Sequence, residues 1–305
     1  MALPVFGDCR LTFKKVARAL QVDLGLIPYA EAYALQRRIV AARKLGAIGD
    51  VLLFCEHPHV ITQGRNGKRE HLLASESVLR QKGVEFFETS RGGDVTYHGP
   101  GQIVAYPILN LGAIRRDVVW YARMLEEAMI RATAEFGIVA GREVGKTGVW
   151  VGGEKSSEKL AAIGVHISRW VTSHGLAYNV STDLRYFDLI VPCGIADRKA
   201  TSLEKLLERR IEVNEVQSKL AKNIGEVLGL EWRPTGCADL MEKLETAEQA
   251  VPTPTARHLT LAPNAGEMKR ILLIRMMKGV HGSAGSVGSI RSEGQKGRKG
   301  PTRLD

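Results

Sequence analysis

Apolar residues recur at helical intervals in "YAEAYALQRRIVAARKLG" (residues 29–46), and the run stops at Gly46, a suitable C-terminal cap. "DVLLFCEH" then reads as a buried strand, and "HVITQG" as a second one closed by a glycine. The pattern predicts a short helix over residues 74–82 and a strand in "VEFFETS". After a glycine-rich interval, "QIVAYPILNL" is strand-like, with Pro107 marking an edge or a bulge because proline cannot donate to a ladder. The clearest helix is "RRDVVWYARMLEEAMIRATAEFG". Asp117 caps it, Gly137 ends it, and Val118, Tyr121, Leu125, Met129, Ala132 and Phe136 share one face. "GVWVGG", "KLAAIGVHISR" and "HGLAYNVS" return to strand patterns before a helix over residues 213–229.

Strands outnumber helices in the middle of the chain, and several neighbours look hairpin-linked rather than joined by regular crossovers. The expected fold is therefore α+β: a mixed β-sheet flanked by helices, not a doubly wound parallel sheet. After Trp232 the texture changes. "DLMEKLETAEQ" reads as a short helix and "EMKRILLIRMMKG" as either a basic amphipathic segment or an incidental one. Glycine, serine and basic residues fill the rest, a composition with little to bury. The expected division is a folded domain over residues 1–235 and a basic, low-complexity, disordered extension over residues 236–305.

Composition changes this picture in two places. The net charge of +10 over 305 residues suggests a nucleic-acid binder until it is located. Residues 250–305 hold ten Lys/Arg against three acids, or +7, which leaves only +3 for the remainder. The four cysteines (Cys9, Cys55, Cys193, Cys237) are far apart with no CxxC, which fits a reduced compartment and argues against a disulfide framework or zinc knuckle. With no apolar run near the roughly 20 residues of a membrane span and no basic-then-apolar leader, a cytoplasmic location is expected.

The candidate chemistry starts at "RGGDVTYHGPGQ" (residues 91–102), which has neither GxxxxGK[ST] nor GxGxxG. It is either a structural double bend or a bare wall along which a slender ligand passes backbone, with Arg91 and His98 at its rim. Cys193, between Pro192 and Gly194, is either an inert small side chain or an accessible nucleophile. Lys159 leads into an apolar strand, as a solvated strand end or as an amine turned into a cleft and usable as a base. His57 and His59 in "EHPHV" are spaced to share a strand face, but no carboxylate cluster accompanies them and a structural role is expected over a metal site. His174 opens "HGLAYNVSTDL", whose small residues again suggest backbone close to a ligand.

Four segments in order, "HPHVITQGRNGKREHLL", "RGGDVTYHGPGQ", "KLAAIGVHISRWVTSHGLAYNVSTDL" and "VPCGI", resemble the lipoyl(octanoyl) transferase family. The resemblance spans about residues 25–232. It implies a fold similar to the catalytic domain of biotin and lipoate protein ligases, and transfer of octanoyl from octanoyl-acyl carrier protein to a lysine of lipoyl domains. The acceptors implied are the lipoyl domains of 2-oxoacid dehydrogenase complexes and the glycine cleavage H protein. No cofactor, metal or ATP is implied. Motif alignment places the acyl-thioester nucleophile at Cys193 and its partner lysine at Lys159. Substrate contacts fall on Arg91, Gly92, Gly93, Asp94, Val95, Thr96, Tyr97 and His98, on Ala162, Ile163 and Gly164, and on Gly175, Leu176 and Ala177. The "GGEKSSEK" segment is longer than the usual family hairpin, and counting back from "AAIG" selects Lys159 over Lys155. An ATP-dependent lipoate or biotin ligase of the same fold is the alternative. Acyl carrier proteins are generally acidic, so Arg65, Lys68 and Arg69 in "GRNGKRE" are either a docking face or a solvated loop.

Overall fold

The computed structural model describes residues 17–153, 156–191 and 199–250; Lys155, Cys193 and the chain beyond 250 lie outside the described residues. The elements run β1 (Ala17–Leu26), α1 (Tyr29–Lys44), β2 (Val51–Glu56), β3 (Val60–Gln63), α2 (Glu76–Gln81), β4 (Glu85–Glu88), β5 (Val95–His98) and β6 (Gln102–Ile108). They continue through α3 (Leu111–Ile114), α4 (Val118–Ala134), β7 (Ala140–Glu143), β8 (Lys146–Val151), β9 (Glu158–Ser168) and β10 (Val171–Asn179). The last are α5 (Leu203–Leu207), α6 (Val213–Leu228), β11 (Leu230–Pro234) and α7 (Cys237–Gln249).

Eight strands form one sheet in the order β11-β1-β2-β6-β10-β9-β8-β7, and a second sheet holds β4-β3-β5. β1 runs parallel to β2 and β11 and β3 parallel to β4; the remaining pairs are antiparallel. The mixed α+β architecture matches the expectation, although division into two sheets was not legible.

Alternation decides what each helix covers. Leu52 and Phe54 of β2, Ile103 and Ala105 of β6, and Leu176 and Tyr178 of β10 share a core with Tyr121, Leu125 and Met129 of α4 and Leu220 and Ile224 of α6. α1 packs on β6 and β10, with α7 beside it. The helix predicted from period and cap begins as expected: the Asp117 carboxylate accepts from the Trp120 N–H at 2.9 Å. Val118, counted on its apolar face, is instead exposed in the first turn.

Pro107 does not mark an edge, because β6 lies between β2 and β10. It interrupts the β6–β10 ladder, which pairs Leu176 with Ala105 and resumes only as a bridge from Asn110 to Val171. In that register His174 stands opposite Pro107. Its N–H donates to Gln36 Oε1 of α1 at 2.8 Å instead of across the sheet, and its φ is +55°. A missing donor on one strand thus explains a left-handed residue on the next.

The boundary expected at residue 235 needs correction. α7 lies beyond it and buries Leu240, Met241, Leu244 and Ala247, the i, i+3/i+4 stripe of an amphipathic helix. Among the described residues, no helix is long and apolar enough to cross a membrane. A chain ending at Thr235 should unfold at a lower temperature than one ending at Ala250, because each buried leucine contributes about 1.5–3 kcal/mol. Calorimetry of the two chains checks this.

Candidate active site

A cavity of about 510 Å³ opens between the glycine-rich loop with β5 and the strands β9 and β10. That volume lies in the range of about 300–1,000 Å³ usual for small-molecule sites. β9 and β10 pair through it with Gly175 opposite Gly164, Leu176 opposite Ile163 and Ala177 opposite Ala162. The loop is held to this wall by Gly92 N–H donating to Val165 O at 2.9 Å. A Cβ on Gly164 would stand 3.0 Å from both Gly92 O and Arg91 Cδ, so a side chain there would crowd the approach. Gly175 has a different reason: a Cβ there would lie 2.7 Å from Pro107 Cδ and closer still to Ala105 O.

Arg91 is buried, and its guanidinium reaches protein acceptors: Nη2 donates to Thr62 O (2.6 Å) and Thr62 Oγ1 (2.9 Å), and Nη1 to Gly92 O (3.1 Å). These bonds tie the loop to β3 and offset the cost of removing a cation from water. Asp94 accepts from Lys68 N–H at 3.2 Å and meets His71 Nδ1. His98 bonds through Nδ1 to Gln102 Oε1 at 2.7 Å and through Nε2 to Thr62 Oγ1 at 3.3 Å. His174 bonds to Ser90 Oγ at 3.1 Å and stacks on Tyr33.

These imidazoles are uncharged at neutral pH. Burial, then the His57 ring and the Arg91 cation, pulls His98 down to about 3. Burial, then Arg91, does the same to His174, and burial takes His57 to about 4 against the opposing Ile27 carbonyl.

Lys159 lies near the start of β9 and borders the same cavity. Its Nζ is 4.8 Å from the centre of the Trp150 ring, within cation–π range. Two residues missed in the sequence shape this place. Gly148 has φ +122°, and a Cβ there would come 3.1 Å from Lys159 Cε and 2.5 Å from Ala161 O. Glu126, buried on α4, accepts from Gly148 N–H at 3.1 Å and pairs with Arg123 and Arg142 at 2.7 and 3.0 Å. A glycine inside a strand pattern was the available signal for Gly148; a buried helical glutamate gives none.

The cavity lining includes Arg91, Gly92, Gly93, Asp94, Val95, Thr96 and His98, Ala162, Ile163 and Gly164, and Gly175, Leu176 and Ala177. Tyr97, expected with them, turns away: it stacks on Tyr186 at 5.1 Å and its hydroxyl bonds to His59 Nδ1 at 2.7 Å. Period-2 alternation sends Tyr97 to the face opposite Thr96 and His98, into the core cluster it shares with Val95, which borders the cavity only at the start of the strand. Cys193 lies outside the described residues, which stop at Val191 and resume at Lys199. Val191 N–H donates to His71 O at 2.8 Å, and Lys159 N–H donates to Lys199 O at 2.8 Å. His57 and His59 have separate hydrogen-bond partners, Ile27 O and Tyr106 for the first and Tyr97 for the second. Among the described residues no three His, Cys, Asp or Glu side chains group as a metal site would need.

The profile of the lipoyl protein ligase A/B catalytic domain matches residues 28–225. An octanoyltransferase of Acidobacterium capsulatum is 50% identical, over 75% of this chain and 98% of its own. One from Solibacter usitatus is 52% identical, over 70% of this chain and 94% of its own. The chain belongs to the octanoyltransferase family. It is an acyltransferase that moves octanoyl groups in protein lipoylation. The fold is also that of a lipoate-protein ligase A bound with ATP (TM-score 0.61, 16% identity, 76% of this chain and 92% of that one). A chain from a structural analysis of the bi-partite lipoate protein ligase and E2 lipoyl domain of Thermoplasma acidophilum gives 0.62 at 16% identity, covering 76% of this octanoyltransferase and 91% of that chain.

Two outcomes are expected. Gly148→Ala should cut turnover at least tenfold, because strain of about 1–3 kcal/mol falls where Lys159 sits; steady-state kinetics beside thermal unfolding checks it. His57, His98 and His174 stay neutral when folded but titrate near 6.5 when unfolded. Unfolding therefore takes up protons below pH 6.5, so their contribution to stability is full above that pH and is lost as pH falls toward their folded values. Unfolding free energies measured from pH 7.5 to 5 should decline, and His98→Gln should flatten the decline.

Proposed function

We propose that this octanoyltransferase takes its acyl group from octanoyl-acyl carrier protein, holds it as a thioester on Cys193, and passes it to a lysine of a lipoyl domain. In the first step Cys193 sulfur attacks the thioester carbonyl, a new C–S bond forms, and the carrier thiol leaves with a proton. In the second, the acceptor lysine nitrogen attacks the acyl-enzyme, the amide C–N bond forms, and the Cys193 sulfur departs. Thioester exchange is nearly isoenergetic and amide formation runs downhill, so the sequence consumes no ATP.

Lys159 manages the proton, favouring the thiolate in the first step and receiving a proton from the incoming amine in the second. The observation that carries this reading is its position: Lys159 borders the cavity, and its backbone N–H is bonded to Lys199, where the described chain resumes after the segment holding Cys193. Substrate contact is assigned to the loop at 91–94 with Val95, Thr96 and His98, and to the facing residues of β9 and β10. Their bare backbone suits a thin apolar chain, and N–H groups near the sulfur would stabilise the oxyanion by about 2.7–4 kcal/mol for one donor. The acceptors proposed are the lipoyl domains of 2-oxoacid dehydrogenase complexes and the glycine cleavage H protein.

Incubation with octanoyl-carrier should leave an octanoyl mass adduct that maps to Cys193 and is absent from Cys193→Ser. An adduct persisting on another cysteine would refute the assignment. Lys159→Ala should slow acylation with folding intact, while Lys155→Ala should do little; lipoate-dependent ATP consumption would favour a ligase instead.

A further inference from the structure

The three basic residues of "GRNGKRE" do not act alike. Lys68 Nζ lies 3.4 Å from Glu70, and Arg69 Nη2 lies 3.8 Å from Glu76, so each already faces a carboxylate. Arg65 reaches His166 on β9 instead. Two more cations belong to the same neighbourhood. Lys44, the last residue of α1, donates from Nζ to Ser168 Oγ at 3.0 Å, and Arg169 is exposed at the tip of the β9–β10 hairpin. None of Lys44, Arg65 and Arg169 has a carboxylate partner among the described residues.

Their charges act on one another. After burial, Arg169 is the cause that lowers the Lys44 ammonium, and Arg65 and Lys44 are the causes that lower His166. The hairpin tip is also held in an uncommon shape. Arg169 and Trp170 have φ of +52° and +64°, values that such two-residue turns normally assign to Asn-Gly. Trp170 packs against the core and its carbonyl accepts from Leu111 N–H at 2.7 Å, which fixes the turn and leaves Arg169 in solvent. Leu45, next to Lys44 in the chain, is 64% exposed. A leucine among cations suits a protein surface better than a free anion.

The position of the patch narrows its partner. Arg65 N–H donates to Arg91 O at 3.0 Å, and Asn66 and Val165, the chain neighbours of Arg65 and His166, line the cavity. The patch is therefore on the rim. Lys159 is seven residues from His166 along β9, about 23 Å at strand rise. A thioester on a long flexible arm spans that distance, so a carrier seated on the patch can deliver its acyl group into the cavity.

We propose that Lys44, Arg65 and Arg169 form the docking surface for the acidic carrier that delivers the octanoyl thioester. The inference rests on the donor assigned under the proposed function. Complementary charge at a rim acts mainly on encounter, and it weakens as salt rises.

The test is steady-state kinetics of the full chain with octanoyl-carrier as donor and a lipoyl domain as acceptor, at low and high salt. Lys44→Glu/Arg169→Glu should raise KM for the carrier about tenfold at low salt, with kcat and the acceptor KM unchanged and the difference shrinking at high salt. Lys68→Glu/Arg69→Glu, at cations already paired, should leave the carrier KM near that of the unaltered chain. An unchanged carrier KM in the first variant, an equal rise in the second, a fall confined to kcat, or a rise in the acceptor KM instead would each overturn the docking surface. If the unaltered chain takes no octanoyl from the carrier, the donor assignment itself fails; a working donor with an unmoved KM fails the surface alone.

Discussion

The site depends on one close approach of backbone to backbone. The loop at 91–94 lies against β9 through the hydrogen bond from Gly92 to Val165, and neither Gly92 nor Gly164 leaves room for a Cβ without crowding the other chain. That contact joins the three-stranded sheet, which ends in the loop, to the eight-stranded sheet, which supplies the opposite wall. Arg91 secures it from below by bonding to Thr62 on β3. A side chain at either glycine would press the two walls apart by a few tenths of an ångström.

Charge is distributed around the cavity with a clear division. The guanidinium of Arg91 is engaged by protein acceptors, and the three buried imidazoles are held neutral by burial, joined at His98 and His174 by that same cation. In the proposed reaction an apolar acyl chain would meet the uncharged rings of His98 and His174 and bare backbone along this wall. The basic groups Lys159 and Lys146 lie at the Trp150 end, where Glu126 and Gly148 fix the neighbouring strand. In the proposed reaction that is where a proton must move.

Much of this was legible in the chain, for reasons that particular elements make plain. α4 announced itself because cap, period and terminal glycine agree. The glycine-rich loop and the paired small residues of β9 and β10 were recognisable because only close packing explains so many missing side chains. β1 and β11 were not, since their parallel pairing joins residues some two hundred positions apart and leaves no local mark. α7 was readable as a helix, but its short apolar stripe in a polar stretch did not show that it packs on the folded domain. Tyr97 was placed with the substrate by motif, whereas the pleat of β5 turns it toward Tyr186. Glu126 and Gly148 influence Lys159 only through tertiary contact.

The most direct trial of the central claim is a crystal structure of the enzyme carrying an eight-carbon chain on the Cys193 sulfur. The account predicts that the chain lies between the loop at 91–94 and the β9–β10 wall, with Lys159 Nζ within hydrogen-bond reach of the sulfur or the acyl oxygen. A chain lying outside that cavity, or a Lys159 amine directed away from the sulfur, would contradict it.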